Sequence, residues 1–274
     1  MSDTRPIGVF DSGLGGLTVV KELSRLMPGE RVIYLGDTAR CPYGGRSEDT
    51  IRQFGIEDAQ YLMDQDIKML IVACNTVSSV ALEHIEQKMK DIPVIGVVLP
   101  GARAAVLRTA ERKIGVIGTV ATIKTGSYAR AIEKIDPSIK VFGKPCPLFV
   151  PLVEEGLVDS DITRLTAQHY LYEMIDFGID CIILGCTHYP LLMEVIQGTV
   201  GTRIQLLDSA LWTAKEAQDI LTAMNALSPY RTGGLGSSRF LVTDITLHFE
   251  KQAEVFLGAK IPSIERVSLE ELTQ

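Results

Sequence analysis

The sequence predicts an α/β protein of two similar α/β lobes, with mostly parallel sheets and an active site in the cleft between them. Three observations carry that expectation. Short apolar runs alternate with helical patterns, the rhythm of βαβ units whose strands lie parallel. The runs are apolar throughout rather than at every second residue, as strands covered by helices on both faces are. Two distant segments, Lys68–Thr76 and Asp180–His188, repeat one design: an apolar strand, a small residue, a cysteine, a hydroxyl or amide residue, then a helix.

Pro6–Phe10 reads as a buried strand running into Asp11-Ser12-Gly13-Leu14-Gly15-Gly16, followed by a helix from Leu17 to Met27 that Pro28-Gly29 stops. Arg31–Leu35 is a second strand ending in Gly36-Asp37. The polar loop Thr38–Ser47 carries Cys41-Pro42-Tyr43-Gly44-Gly45, and a helix follows from Glu48 to Asp64. Met69–Ala73 is a third strand ending at Cys74-Asn75-Thr76, with a helix running on to Lys90, and Val94–Val97 is a fourth. The pattern then restarts. A helix over Gly101–Thr109 precedes a strand, Lys113–Ile117, with the exit loop Gly118–Thr122. A helix over Ser127–Ile135, a short strand Lys140–Phe142 and a loop from Pro145 to Pro151 come next. Beyond them lie a helix, Asp161–Phe177, a strand, Cys181–Leu184, and Gly185-Cys186-Thr187-His188. Tyr189-Pro190 opens the next helix, proline being at home in a first turn. After Ile204–Leu206 and Asp208 a helix spans Ala210–Asn225, and the Pro/Gly/Ser-rich stretch Ser228–Ser238 reads as a mobile loop. A strand at Arg239–Val242 and a helix near Ile245–Leu257 close the fold.

Composition narrows the function. At 274 residues, 46% of them hydrophobic and 22% charged, the chain has one large or two modest domains and ample core. A net charge of −7 repels a phosphate backbone, and 6% aromatics make a poor stacking platform, so no nucleic-acid partner is expected. The longest apolar run, Met69–Cys74, falls far short of the ~20 residues of a membrane span. Met1–Pro6 has no apolar run behind a basic start, so no secretory signal and no membrane partner are expected. Five cysteines, an odd count, then read as reduced thiols in cytoplasm. The expectation is an enzyme directed at a small molecule.

In parallel α/β sheets ligands bind at the carboxyl ends of strands, and Cys74 and Cys186 both fall at such ends. The simplest arrangement presents one thiol from each lobe to a shared cleft. A single free cysteine is ordinarily a small buried hydrophobe. Two placed alike in two repeats point instead to chemistry, whereas Cys41, Cys146 and Cys181 lack that setting and read as inert. A thiol is an acid and its thiolate a base, with an ordinary pKa of about 8.5 that a helix N-terminus or a cation lowers. One sulfur on each face of a carbon centre removes a proton while the other delivers one. That inverts the centre, with neither metal nor organic cofactor needed when the carbanion is otherwise stabilised. Asn75, Thr76 and Thr187, beside helix N-terminal amides, suit substrate carboxylates. Asp11 reads as a proton acceptor beside a thiol or as a helix N-cap. His188 reads as a partner of Cys186 or as a buried, bonded histidine, and Glu154 as a supporting carboxylate or an ordinary surface acid.

At these residues the chain resembles the glutamate racemases of the aspartate/glutamate racemase superfamily. The motifs are Phe10-Asp11-Ser12-Gly13-Leu14-Gly15-Gly16-Leu17, Cys41-Pro42-Tyr43-Gly44 and Ala73-Cys74-Asn75-Thr76. They continue with Val150-Pro151-Leu152-Val153-Glu154-Glu155-Gly156 and Leu184-Gly185-Cys186-Thr187-His188-Tyr189-Pro190-Leu191, spanning almost the whole chain in the family's order. The resemblance implies a cofactor-independent amino-acid racemase in which Cys74 deprotonates D-glutamate and Cys186 L-glutamate. Asp11 would assist Cys74, and His188 with Glu154 would assist Cys186. Substrate would be held by Asp11, Ser12, Tyr43, Gly44, Asn75, Thr76, Thr187 and His188, with Thr119 and Thr122 as further contacts. The Cys-Thr-His motif fits glutamate, since aspartate racemases tend to carry Glu where this chain has His188. The resemblance further implies a cytoplasmic homodimer supplying D-glutamate for peptidoglycan. It also implies a first lobe of residues 1–98 plus 210–274 and a second of residues 99–209.

Four rival readings remain on the residues alone. Gly13-Leu14-Gly15-Gly16 after a strand, with Asp37 ending the next, resembles a dinucleotide fingerprint, but its third glycine position holds Thr18. Cys181, Cys186 and His188 form no Cys-x-x-Cys pair and strand alternation separates the two sulfurs, so no metal is expected. A hydrolase using Cys186 as nucleophile beside His188 leaves Cys74 unexplained. A non-catalytic binding module would bind ligand without exchanging its α-proton. Within the superfamily, aspartate or hydantoin is the nearest alternative substrate.

Overall fold

The chain lays down β1 (Ile7–Asp11), β2 (Val32–Gly36), β3 (Met69–Val72) and β4 (Val94–Gly96), then β5 (Lys113–Gly118), β6 (Lys140–Pro145), β7 (Cys181–Gly185) and β8 (Gln205–Asp208), and last β9 (Arg239–Val242) and β10 (Ile264–Arg266). A computed structural model describes residues 2–245 and 249–273. They divide into two compact units, residues 1–97 with 210–274, and residues 98–209.

The first unit is built on a six-stranded sheet in the order β10-β9-β2-β1-β3-β4, the second on a four-stranded sheet in the order β6-β5-β7-β8. Every paired neighbour in both sheets is parallel. The run β2-β1-β3-β4 of the first sheet and the whole of the second have the same order, so β1 corresponds to β5 and β3 to β7. The sequence repeat is therefore a topological one: each cysteine motif follows the strand beside its unit's first strand. β1, β2, β3 and β7 are buried at every residue, as helices on both faces require. The core of the second unit gathers Ile114, Val116, Tyr128, Ile132, Cys181 and Ile183 around β5 and β7.

Several expectations need correction. The helix expected from Asn75 to Lys90 is two helices, Asn75–Val80 and Leu82–Lys88, with Ala81 between them at φ −120° and ψ −10°. The first carries Thr76-Val77-Ser78-Ser79-Val80, residues of modest helix propensity. Its Ser78 hydroxyl donates to the carbonyl of Val72 at 2.8 Å and accepts from the amide of Val97 at 3.2 Å. The exit loop expected over Gly118–Thr122 is cut short by a helix, Val120–Thr125, because Thr119 caps it by accepting from the Thr122 amide. The loop expected from Pro145 to Pro151 turns helical at Phe149. Pro151 falls in the first turn of Phe149–Glu154, where a missing N–H costs nothing. The helix that Tyr189-Pro190 opens begins as a 3₁₀ turn, Tyr189–Leu192, before becoming α over Met193–Val200.

At the C-terminal end, the helix expected near Ile245–Leu257 falls partly on residues 246–248, outside the described residues, and its described part is Phe249–Leu257. It does not close the fold. β10 adds a further parallel strand, and the short helix Leu269–Leu272 starts at a capping box of Ser268 and Glu271. Ser228–Ser238, expected as a mobile loop, is tied to its surroundings. The amide of Gly234 donates to the carbonyl of Pro28 at 3.0 Å, that of Ser228 to Glu30 at 2.6 Å, and that of Val32 to the Ser238 hydroxyl at 2.9 Å.

Candidate active site

β1 and β3 are neighbours, with Phe10 opposite Val72 and the Ala73 amide donating to the Phe10 carbonyl at 2.9 Å. The residues leaving both strands therefore meet. Asp11 and Ser12 arrive from β1, Cys74 and Asn75 from β3. Gly16 lets the following helix close over them, since a Cβ there would come within 2.6 Å of the Asp11 Cβ and 3.0 Å of that of Ala73. The Asp11 carboxylate accepts from the Gly13 amide at 2.9 Å, and the Gly13 carbonyl accepts from the buried Tyr34 hydroxyl at 2.7 Å. Cys74 is the extended residue from which the helix Asn75–Val80 begins. Its thiol faces the Ser12 hydroxyl, Sγ to Oγ 3.5 Å. Burial, and then the negative charge of Asp11, push the Cys74 thiol up to about 12, partly opposed by Ser12 and the Val77 amide. Asn75 and Thr76 are buried directly behind it.

The second unit repeats the construction. β5 and β7 pair up to Gly118 opposite Gly185, so Thr119 and Thr122 from one strand exit neighbour Cys186, Thr187 and His188 from the other. The Thr119 and Thr122 hydroxyls lie 3.0 Å apart. Cys186, Thr187 and His188 are all buried. The Cys186 Sγ lies 3.9 Å from His188 Nδ1, and His188 Nε2 lies 3.2 Å from a carboxylate oxygen of Glu154, itself partly exposed. Burial alone would drive the proton off His188. The hydrogen bonds and negative charges of Cys186 and Glu154 outweigh it and raise the imidazole to about 10. The helix carrying Glu154 is seated by Phe149, whose ring meets Tyr170 and Tyr189 edge-on at 5.3 and 5.2 Å.

Asp11, expected as an assistant of Cys74, stands beside it with Ser12, and His188 with Glu154, expected to assist Cys186, stand beside that sulfur. Asn75, Thr76 and Thr187, expected as substrate contacts, are the residues that follow the two cysteines in sequence. Tyr43 and Gly44 differ. They lie in the loop after β2, and the Tyr43 side chain is 1% exposed, its hydroxyl bonded to Asp37 and to Asp58. The phenol is thus engaged inward, which leaves the backbone of Tyr43 and Gly44 as the part of this loop open to a ligand. Asp37 is fully buried. Its oxygens accept from Thr243 at 2.9 Å, from Arg40 at 2.5 Å and from Tyr43, so it has none to offer a dinucleotide ribose. Among the described residues no cluster of His, Cys, Asp and Glu is arranged to hold a metal ion, and no helix is long and apolar enough to cross a membrane.

Sequence reasoning passed over the buried tyrosines beneath each sulfur. Tyr34 holds Gly13 in the first unit, and Tyr128 packs under Gly185 in the second, 3.3 Å from where a Cβ would stand. An aromatic in an apolar run carries no sign that its hydroxyl is in use. Cys146, read as inert, is buried beside the same strand exits. Its carbonyl accepts from Tyr189 at 2.8 Å, its amide donates to Gly118 at 2.9 Å, and burial pushes its thiol up.

Each of the two α/β units sets a thiol and a polar helper at the end of corresponding strands, groups suited to acid–base chemistry. Residues 7–217 match the Asp/Glu/Hydantoin racemase family, and the chain belongs to it. It is 46% identical over 266 residues to a glutamate racemase of Geobacter metallireducens, covering 97% of each chain, and 44% identical to one from Neisseria meningitidis, again over 97% of each. Its fold matches the crystal structure of Francisella tularensis glutamate racemase in complex with D-glutamate, with a TM-score of 0.92, 42% identity and coverage of 98% and 99% of the two chains. It also matches Thermus thermophilus glutamate racemase in complex with β-chloro-D-alanine, with a TM-score of 0.87, 44% identity and coverage of 99% and 100%.

Proposed function

We propose that the protein is a glutamate racemase that inverts the α-carbon by proton transfer between two sulfurs, Cys74 serving D-glutamate and Cys186 L-glutamate. The observation that carries this reading is the correspondence of the two cysteines, each at the exit of the equivalent parallel strand and each with its own polar partner. The full-length similarity to glutamate racemases supports the choice of substrate.

In the L-to-D direction the Cys186 thiolate takes the α-proton and becomes a thiol. The electron pair left on carbon spreads into the substrate carboxylate, and the Cys74 thiol returns a proton to the opposite face, becoming a thiolate. The reverse direction exchanges the roles. His188, which keeps its proton to about 10, is a cation beside Cys186. Cys74 keeps its own proton to about 12, which suits it to be the acid that completes the L-to-D reaction. Asn75, Thr76 and Thr187, with the backbone of Gly44, are the groups we assign to the substrate carboxylates, with Thr119 and Thr122 beside them. The same reading includes supply of D-glutamate for peptidoglycan by a cytoplasmic homodimer, which light scattering and a D-glutamate requirement of a deletion strain would check.

The test is circular dichroism of the purified protein with L-glutamate under a reducing agent, with no cofactor added. Decay of the signal to zero is expected, with solvent deuterium entering the α-position. A flat trace from folded protein with reduced thiols refutes the reading, and decay with L-aspartate alone moves it to a related racemase.

A further inference from the structure

We infer that Arg40 and Tyr43 are positioning residues, which lock the backbone of the loop after β2 so that Tyr43 and Gly44 are presented to substrate in one fixed conformation. The substrate half of this inference rests on the racemase reading; the lock itself does not. The loop spans residues 38–47, between β2 and the helix Glu48–Met63, and carries exposed Pro42 and Gly45 on either side of buried Tyr43. A segment of that composition has little of its own to hold it still.

What holds it lies underneath. Arg40 turns its guanidinium inward and reads three carboxylates with one fork: Nε donates to Asp37, Nη1 to Glu57 and Nη2 to Asp58, the last at 3.2 Å. Its plane lies over the Phe54 ring, 4.0 Å from the centroid. The Tyr43 hydroxyl donates to Asp37 and has Asp58 at 3.2 Å, and its ring packs on Phe54 with centroids 5.3 Å apart. Asp37 and Asp58 have no exposed side-chain surface, so each depends on these donors. The start of the loop is pinned separately. The Thr38 hydroxyl donates to the Asp244 carbonyl at 2.6 Å, and the Ala39 amide donates to the Thr243 hydroxyl at 2.8 Å. Tyr43, expected from sequence to hold substrate, thus spends its phenol on fixing its own main chain. Backbone held in the bound conformation before ligand arrives lowers the ordering cost of binding.

Arg40→Lys keeps the charge but cannot span three carboxylates, and Tyr43→Phe deletes one oxygen. The experiment compares both variants with the wild-type protein by hydrogen–deuterium exchange and by steady-state kinetics with each glutamate enantiomer. Exchange at residues 41–45 is expected to rise about tenfold or more, with β1 and the helix Glu48–Met63 unchanged. KM for both enantiomers is expected to rise about tenfold while kcat stays within about threefold. Unchanged exchange in the loop overturns the lock, as does faster exchange spread over the whole first unit. Faster loop exchange with unaltered KM overturns its role in positioning substrate. If the wild-type protein does not racemise glutamate, the racemase reading fails and the exchange comparison alone judges the lock. If Arg40→Lys does not fold, Tyr43→Phe carries the test.

Discussion

The surroundings of the two cysteines share a topology and differ in charge. Cys74 and Cys186 follow corresponding strands, β3 and β7, beside corresponding first strands, β1 and β5. Yet Cys74 has a carboxylate and a hydroxyl for company, whereas Cys186 has an imidazole that holds its proton to about 10 and a carboxylate behind it. Strand order decides where a sulfur stands; the one or two residues that flank it decide how it handles a proton. On the two-thiol reading, matched placement suits each sulfur to one face of a carbon, and the unlike surroundings suit Cys186 to start as base and Cys74 as acid in the L-to-D direction.

Removing either sulfur is the bluntest way to break the comparison. Cys74→Ala and Cys186→Ala are each expected to lower racemisation by about 10³-fold or more, the scale of a lost proton-transfer group. Circular dichroism of each variant with both enantiomers checks this, and its far-ultraviolet spectrum checks folding. Appreciable racemisation by either variant would sink the two-base mechanism.

His188→Asn sharpens the comparison by removing the cation beside one cysteine only. Glutamate enantiomers are equal in energy, so kcat/KM must fall by the same factor in both directions, expected to be about 10- to 100-fold. The asymmetry appears elsewhere. If proton transfer at Cys186 becomes slow, it is the first step for L-glutamate and the last for D-glutamate. The α-deuterium isotope effect should then grow with L-glutamate and shrink with D-glutamate. Equal isotope effects would detach His188 from Cys186.

The same residue carries a stability signature. Its folded pKa, about 10, lies above the ordinary 6.5, so its contribution is fully present below pH 6.5 and is lost as pH rises through 10. Cys74 does the same later, between 9 and about 12. Urea unfolding should therefore show stability declining from pH 6.5 to 9, below the range in which the raised cysteines add to it, by at most about 1.4 kcal/mol per pH unit. That slope should be missing in His188→Asn and retained in Cys74→Ala.

The contrast also marks where sequence is informative. Placement was legible, because buried parallel strands write continuous apolar runs and the repeat at Cys74 and Cys186 survives in plain residues. Asp11, His188 and Glu154 were legible as companions; Ser12 was read only as a substrate contact. The direction a side chain takes was not. Tyr43 points its hydroxyl into Asp37 and Asp58, and nothing in Cys41-Pro42-Tyr43-Gly44 distinguishes a phenol facing outward from one facing inward. Arg40 and Asp58 lie far apart in sequence and meet only through the packing of the helix Glu48–Met63. β10 was missed because three residues on a sheet edge make no periodicity, although the capping box at Ser268 and Glu271 was there to be read.

Ser12→Ala is the mildest and most discriminating variant. The hydroxyl stands 3.5 Å from the Cys74 sulfur and works against the rise that burial and Asp11 impose on that thiol. Removing it leaves Asp11 in place and the thiolate harder to form, a loss of one neutral hydrogen bond, so kcat/KM should fall only about three- to tenfold. The isotope pattern should be the mirror image of that for His188→Asn. Proton transfer at Cys74 is the first step for D-glutamate, so its α-deuterium effect should grow while that of L-glutamate shrinks. Opposite patterns in the two variants would assign each sulfur to one enantiomer without removing either. The same pattern in both would mean that Ser12 and His188 act on substrate as a whole, and the surroundings of the two cysteines would then differ in charge without dividing the work.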